Sequence, residues 1–240
     1  MTVGPPFKVE HLANFGTSEP WVARTMLGLG DLIAATPLSG ESAITEALGG
    51  VFMALTDAFN DLRRLREMLG QEKPPPKSEI DSAFSAFYVH LWRAYKDRFQ
   101  TFVQTLGFDI GFLWMNDRKF AAIGAKFLAK HPELDQSFID MLADDRATWQ
   151  SKVAYFRNEH LEHNKPLPPE FVARFYTLDE AELAFENTWQ AIEDVAARLI
   201  ETKLPPDVHL DVIPEDERDP GMPKRFRFLV ENLTDAEQFE

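Results

Sequence analysis

A run of large apolar side chains between residues 78 and 107 constrains the fold more than any other feature of the sequence. Its members recur at intervals of three and four positions, which places them on one face of an α-helix of about 3.6 residues per turn. Ser78 and Asp81 resemble a capping box at the start of this helix, and Gly107 is the residue type that ends helices. Such a run predicts a long helix that is buried by its aromatic face. Its members are Phe84, Phe87, Tyr88, Leu91, Trp92, Tyr95, Phe99, Phe102, Val103 and Leu106.

Further segments carry the same helical spacing and are separated by proline, glycine or a histidine–proline pair. One of them opens with a full capping box, in which Thr177 is followed three residues later by Glu180. The chain is therefore predicted to be mainly α, a helical bundle of about six to seven helices. The remaining predicted helices cover approximately residues 18–36, 42–69, 117–130, 133–164 and 177–203.

The tail has a different pattern, because apolar residues alternate with polar ones in two short stretches around Leu210 and Phe228. This alternation predicts a small C-terminal β-hairpin with a long acidic loop between its strands. The triple proline at 74–76 is a stiff connector. We therefore divide the chain into an N-terminal helical hairpin packed on the core (1–77), a helical core (78–204) and a C-terminal tail with the hairpin (205–240).

Composition limits the classes of function. The chain has no cysteine, which excludes disulfides, thiol nucleophiles and cysteine-based zinc sites. Its net charge of −14 opposes an extended DNA-binding surface, although a local basic pocket stays compatible with it. No stretch is apolar for long enough to predict a membrane span, and the first residues do not resemble a signal peptide. We expect a cytoplasmic protein that binds neither DNA nor membranes.

Side chains suited to chemistry are concentrated in one stretch, Lys152–Pro166. On an ideal α-helix, His160 and His163 continue the apolar stripe that contains Phe156. Arg157 lies on the flank of that stripe, and the proline ends the helix shortly after His163. A guanidinium and imidazoles at a helix end are suited to binding an anion and moving a proton near neutral pH.

Two other interpretations of these residues need no catalysis. The histidines can be core or interface residues with satisfied hydrogen bonds, and Arg157 can pair with a carboxylate of a neighbouring helix. A metal site could use Glu159, His160 and His163, but the metal-binding Glu-x-x-His and His-Glu-x-x-His patterns are missing from the sequence. Phosphate-binding glycine loops are missing as well. We therefore expect neither a metal nor a cofactor.

Arg157, the Asn158 that follows it, and His163 together resemble the Arg-x(4–6)-His signature of HEPN domains, the higher eukaryotes and prokaryotes nucleotide-binding domains. The motif lies late in a helical chain, before a loop and one last long helix, as in that family. The resemblance implies a four-helix core within 78–204 and pairing as a homodimer with two motifs across one cleft.

The resemblance further implies metal-independent endoribonuclease activity or binding of RNA or nucleotides. Arg157 would hold a phosphate oxygen, His163 would transfer a proton, and Asn158 would orient one of them. His160 would share the proton transfer or only pack. The alternative is a non-catalytic helical module for protein interaction or dimerisation, which the acidic composition favours.

Overall fold

The computed structural model describes residues 29–30, 33, 40–163, 166, 175–206, 208–217 and 225–230. Within these ranges the chain folds into five helical rods and one two-stranded sheet, so the predicted mainly α class is confirmed. The helix predicted near residues 18–36 falls almost wholly outside the described residues. The predicted division at 77 and 204 stays a prediction. None of the described helices is both long and apolar enough to cross a bilayer.

Two of the five rods contain π-helical parts, in which the backbone hydrogen bond spans five residues instead of four. One short 3-10 turn precedes the third rod, and another lies in the loop between the two strands. The elements in chain order are α1 (Glu41–Leu69), α2 (Lys77–Trp92), π1 (Arg93–Phe99), α3 (Gln100–Thr105), a 3-10 turn (Gly111–Trp114), α4 (Asp117–Lys130), α5 (Gln136–Asp145), π2 (Arg146–Gln150), α6 (Ser151–Tyr155), π3 (Phe156–Glu162), α7 (Leu178–Glu201), β1 (Val208–Val212), a 3-10 turn (Glu215–Glu217) and β2 (Phe226–Val230).

The first rod is α1, and the second is the continuous run of α2, π1 and α3. These two rods lie antiparallel to each other. His90 Nδ1 is 2.6 Å from Asp61 Oδ2. Further along the pair, Arg98 passes 3.7 Å from the position that a Cβ would occupy on Gly50. The helix α7 packs against both rods, which closes a core between them. α1 runs unbroken through Gly49 and Gly50, so these glycines do not interrupt the helix.

The aromatic run predicted from the sequence forms the centre of this core. All ten of its side chains are buried, with 5% exposure or less. Their rings contact those of later segments: the ring centroid of Tyr88 lies 4.8 Å from that of Phe156, and that of Tyr95 lies 5.0 Å from that of Trp149. The rod from α5 to π3 is therefore held against the second rod by aromatic contacts.

Most helix ends follow the sequence signals. Gly107 has φ = 91° after the second rod, and the Thr177 hydroxyl accepts a hydrogen bond from the Glu180 amide at 3.4 Å before α7. The capping box predicted at Ser78 is wrong, because α2 begins at Lys77 without a side-chain cap. Asp81 is instead paired with Lys77, whose ammonium lies 2.6 Å from its carboxylate.

The predicted C-terminal hairpin is confirmed. β1 and β2 are antiparallel, and Leu210 lies opposite Phe228. Arg225, just before β2, joins the sheet to α7 through ion pairs with Glu193 at 3.2 Å and Asp194 at 2.7 Å.

Candidate functional site

The three π-helical segments converge on one cleft of about 320 Å³. π-helices make up well under about 1% of residues in soluble proteins and occur frequently at functional sites, so three of them around one cleft single it out. π1, π2 and π3 all contribute to its wall, together with the 3-10 turn before α4. We call it the π cleft. Its wall includes Trp92, Lys96, Trp114, Arg146, Gln150 and Asn158.

Aromatic rings form one side of the π cleft. The ring of Trp92 is 4% exposed and meets the half-buried ring of Trp114 edge to face, with 5.3 Å between centroids. The ammonium of Lys96 lies 5.9 Å from the Trp92 ring centroid, at a distance where the ring face attracts a cation. Trp114 is fixed by a hydrogen bond that its indole N–H donates to Gln100 at 3.1 Å. These residues therefore form an aromatic surface that is held in place by a hydrogen bond and carries the ammonium of Lys96.

Arg146 also belongs to the wall of the π cleft. Its guanidinium donates hydrogen bonds to the carbonyl of Leu113 and, at 2.7 Å, to the carboxylate of Asp117. It also lies 4.6 Å from the ring centroid of Phe120. Because the Asp117 side chain is fully exposed, water screens this ion pair strongly. The guanidinium of Arg146 is thus held in place by a carbonyl, a carboxylate and a ring.

The wall carries positive charge in an acidic protein. Lys96 and Arg146 belong to it, and no described carboxylate does, although the net charge of the chain is −14. A low-dielectric cleft concentrates such a local field, so its sign can differ from that of the whole surface. The π cleft is therefore suited to an anion.

Two residues of this wall each have a polar atom that is covered from water and has no hydrogen-bond partner among the described residues: Gln150 Oε1 and Trp92 Nε1. Gln150 is 2% exposed, and its amide nitrogen makes only a long contact of 3.5 Å with the carbonyl of Leu113. Buried polar atoms are nearly always paired in native proteins, so an orphan acceptor and an orphan donor on one wall need an explanation.

Asp145 directly precedes Arg146 of the wall in the sequence, and its carboxylate has a shifted pKa. The pKa of Asp145 is raised to about 6, mainly by burial and to a smaller extent by the nearby charges of Asp194 and Asp144, against the opposing hydrogen bond from Trp149. The indole N–H of Trp149 donates that bond at 3.2 Å. Burial, together with the Asp145 charge, also raises the pKa of the Tyr95 hydroxyl.

The structure brings two of the four predicted site residues together. Arg157 Nη1 donates a hydrogen bond to Asn158 Oδ1 at 2.9 Å, and Asn158 lies in the wall of the π cleft. His163 is exposed at the end of π3, and of the described residues neither it nor Arg157 belongs to the wall. The side chain of His160 lies outside the described part of the chain.

The exposure of His163 has a cause in the winding of the helix. The sequence argument placed it on the stripe of Phe156 by assuming about 3.6 residues per turn. A π turn takes more residues, so each side chain advances by a smaller angle. Over the seven residues of π3 this drift takes His163 off the buried face, while Phe156 at the start is fully buried.

Most of the wall was missed by sequence reasoning. Trp92 was assigned only to the core, and Trp114, Arg146 and Gln150 were assigned no role. On an α-helix Gln150 would lie well away from the face of Trp149, yet both are buried in π2. Only a backbone with π winding shows that these residues meet.

No family model, no curated protein and no solved structure matches the chain. In the described part of the chain, no group of three or more His, Asp and Glu side chains has the spacing to hold a metal ion.

Proposed function

We propose that the protein binds RNA at the π cleft and cleaves it without a metal ion, using Arg157, Asn158 and His163 as the HEPN-like motif implies. The observation that carries the proposal is the Arg157–Asn158 hydrogen bond of 2.9 Å beside a wall with two cations and no described carboxylate. The exposure of His163 adds to it, because a proton-transfer group must be reachable by the substrate.

The chemistry that this proposal assigns is a transesterification. The 2′-hydroxyl of the RNA attacks the adjacent phosphorus, and the bond from phosphorus to the 5′-oxygen breaks. The products are a 2′,3′-cyclic phosphate and a 5′-hydroxyl. His163 takes the proton from the 2′-hydroxyl or gives one to the leaving oxygen, and Arg157 stabilises the negative charge on the phosphate oxygens. Asn158 orients Arg157.

In the proposal, the enzyme acts in the cytoplasm as a homodimer, so that two motifs face one RNA strand. Light scattering on the purified full chain tests the pairing directly. A monomer at the concentrations used for cleavage would remove the dimer from the proposal, and the single-chain site would have to account for any activity.

The cleavage test uses mixed-sequence RNA in EDTA with wild type, His163→Ala, Arg157→Ala and Arg157→Lys, all purified in parallel. We expect wild type to produce cyclic phosphate ends and both alanine variants to lose activity by about a hundredfold or more. The lysine variant should recover part of it, because it restores the charge but not the planar fork. His209→Ala is the matched control, since His209 is also exposed but lies on β1.

Cleavage that is equal in wild type and His163→Ala would identify a contaminant and reject the enzyme. A wild type that leaves RNA intact would favour the non-catalytic interaction module, whose acidic surface the net charge of −14 supports. The cationic cleft beside Asn158 is the observation that favours the ribonuclease over the interaction module.

A further inference from the structure

Two residues of the wall carry orphan atoms of opposite kind. Trp92 Nε1 is a donor only and Gln150 Oε1 is an acceptor only, and both atoms are covered from water in this structure. A ligand that offers both an acceptor and a donor would pair them once the side chains that cover them move aside. The Watson–Crick edge of a nucleobase has this arrangement, and proteins read unpaired RNA bases by hydrogen bonds to that edge.

The charges and rings of the wall fit the rest of a nucleotide. Among the described residues, the Lys96 ammonium packs on the Trp92 ring and pairs with no carboxylate, so it is available to a phosphate. The guanidinium of Arg146, which is paired with the exposed Asp117, adds a second cation to the wall. Trp114 supplies a half-buried aromatic surface, and base-on-ring stacking is a common mode of binding single-stranded RNA.

The size of the π cleft limits how much RNA it takes. At about 320 Å³ it lies near the lower end of the volumes that small-molecule sites have, roughly 300–1,000 Å³. That is room for one nucleotide, not for several. Asn158 belongs to the same wall and is bonded to Arg157, so a nucleotide in the cleft would adjoin the proposed cleavage motif.

We infer that the π cleft holds a single ribonucleotide of the substrate, next to the scissile phosphate. Its base edge pairs with Gln150 and Trp92, and its phosphate is bound by Lys96 and Arg146. The inference rests on the proposed ribonuclease for the identity of the substrate, but the binding site itself can be tested without any cleavage.

The experiment titrates the full chain with each of the four ribonucleoside 5′-monophosphates and with inorganic phosphate, in EDTA, by isothermal titration calorimetry. Mononucleotides hold no internal phosphodiester, so cleavage does not enter the result. At least one nucleotide is expected to bind about tenfold or more tightly than inorganic phosphate, because only a nucleotide has a base for the wall to pair with.

Two variants locate the binding. Gln150→Leu removes the orphan acceptor while nearly keeping the volume, and Lys96→Met removes the charge while keeping the stem on Trp92. Each is expected to weaken nucleotide binding about tenfold or more. Lys126→Met, an exposed lysine on α4, is the matched charge control and should change it less than twofold. Urea unfolding of Gln150→Leu should show no loss of stability, which separates lost binding from misfolding.

Each outcome decides something. Nucleotide binding no tighter than that of phosphate, or binding that Gln150→Leu leaves intact, overturns the inference even where RNA is cleaved. Nucleotide binding that Lys96→Met weakens and Gln150→Leu does not also overturns the inference, because the base would then make no hydrogen bond with Gln150. Binding that both variants weaken, in a protein that fails to cleave RNA, rejects the ribonuclease and keeps the π cleft as a nucleotide site.

Discussion

The carboxylate of Asp145 should lower the stability of the protein at neutral pH. Its pKa rises from 3.8 to about 6 in the folded state. Between these values the folded chain binds more protons than the unfolded one, so stability falls as the pH rises through that window and stays flat above it. Two units of pKa correspond to about 3 kcal/mol at roughly 1.4 kcal/mol each. Because the side chain is partly exposed, solvent screening reduces this to about 1.5 kcal/mol.

Asp145→Asn tests this argument. The amide oxygen can still accept the hydrogen bond from Trp149, while the charge and its repulsion with Asp194 disappear. The variant is expected to be more stable than wild type by about 1.5 kcal/mol at pH 7.5 and by only a few tenths at pH 4. Urea unfolding at both pH values, followed by circular dichroism, gives the two differences. Subtracting wild type at each pH removes the titration of all other carboxylates.

Asp144→Asn is the matched control, because it removes one negative charge from the adjacent exposed position. Its effect is expected to stay within about 0.5 kcal/mol at both pH values. The reasoning fails if Asp145→Asn is no more stable than wild type at pH 7.5. It fails equally if the gain persists unchanged at pH 4, since a gain from packing would not titrate.

Two further predictions concern stability. Gly49→Ala should stabilise the protein by about 1 kcal/mol, because a Cβ there meets nothing within 4 Å in the middle of α1. Gly107→Ala should destabilise it by a similar amount, because φ is +91° at Gly107. Thermal melts in which Gly107→Ala is the more stable variant would contradict this. Arg225→Met should cost about 3 kcal/mol in urea unfolding, because Glu193, only 4% exposed, loses the cation beside it. Arg227→Met, which removes a more exposed cation from the same hairpin, should cost less than about 1 kcal/mol, and equal losses would refute the argument from burial.

The fold could be predicted where one local rule decided it. The spacing of the aromatic run identified the central helix, and the alternation of apolar with polar residues around Leu210 and Phe228 predicted the hairpin. Thr177 gave the start of α7. The start of α2 was wrong by a small margin, because Asp81 can pair with a side chain as well as with the backbone, and composition does not distinguish the two.

The candidate site could be predicted only in part, for a geometric reason. Asn158 was found because its neighbours form a short linear motif. The rest of the wall comes from segments far apart in sequence, between Trp92 and Asn158, and they meet only through tertiary packing. The π winding then changes which side chains face inward, and no periodicity rule based on the α-helix anticipates that. His163, placed inward by such a rule, is exposed.

Because of the π winding at Gln150, a substitution there is expected to change the stability of the protein and its affinity for a nucleotide in opposite directions. An α-helix would leave this amide away from the buried face of Trp149, whereas π2 buries both and leaves Gln150 Oε1 unpaired. An unpaired buried acceptor costs on the order of 1–3 kcal/mol, so the wall is less stable than an apolar one of the same shape. Natural proteins keep such local conflicts chiefly where function needs them. If the π cleft binds a base, Gln150→Leu should raise the free energy of unfolding and lower the affinity together. If Gln150→Leu instead lowered both the free energy of unfolding and the affinity, Gln150 would serve only the packing of the core.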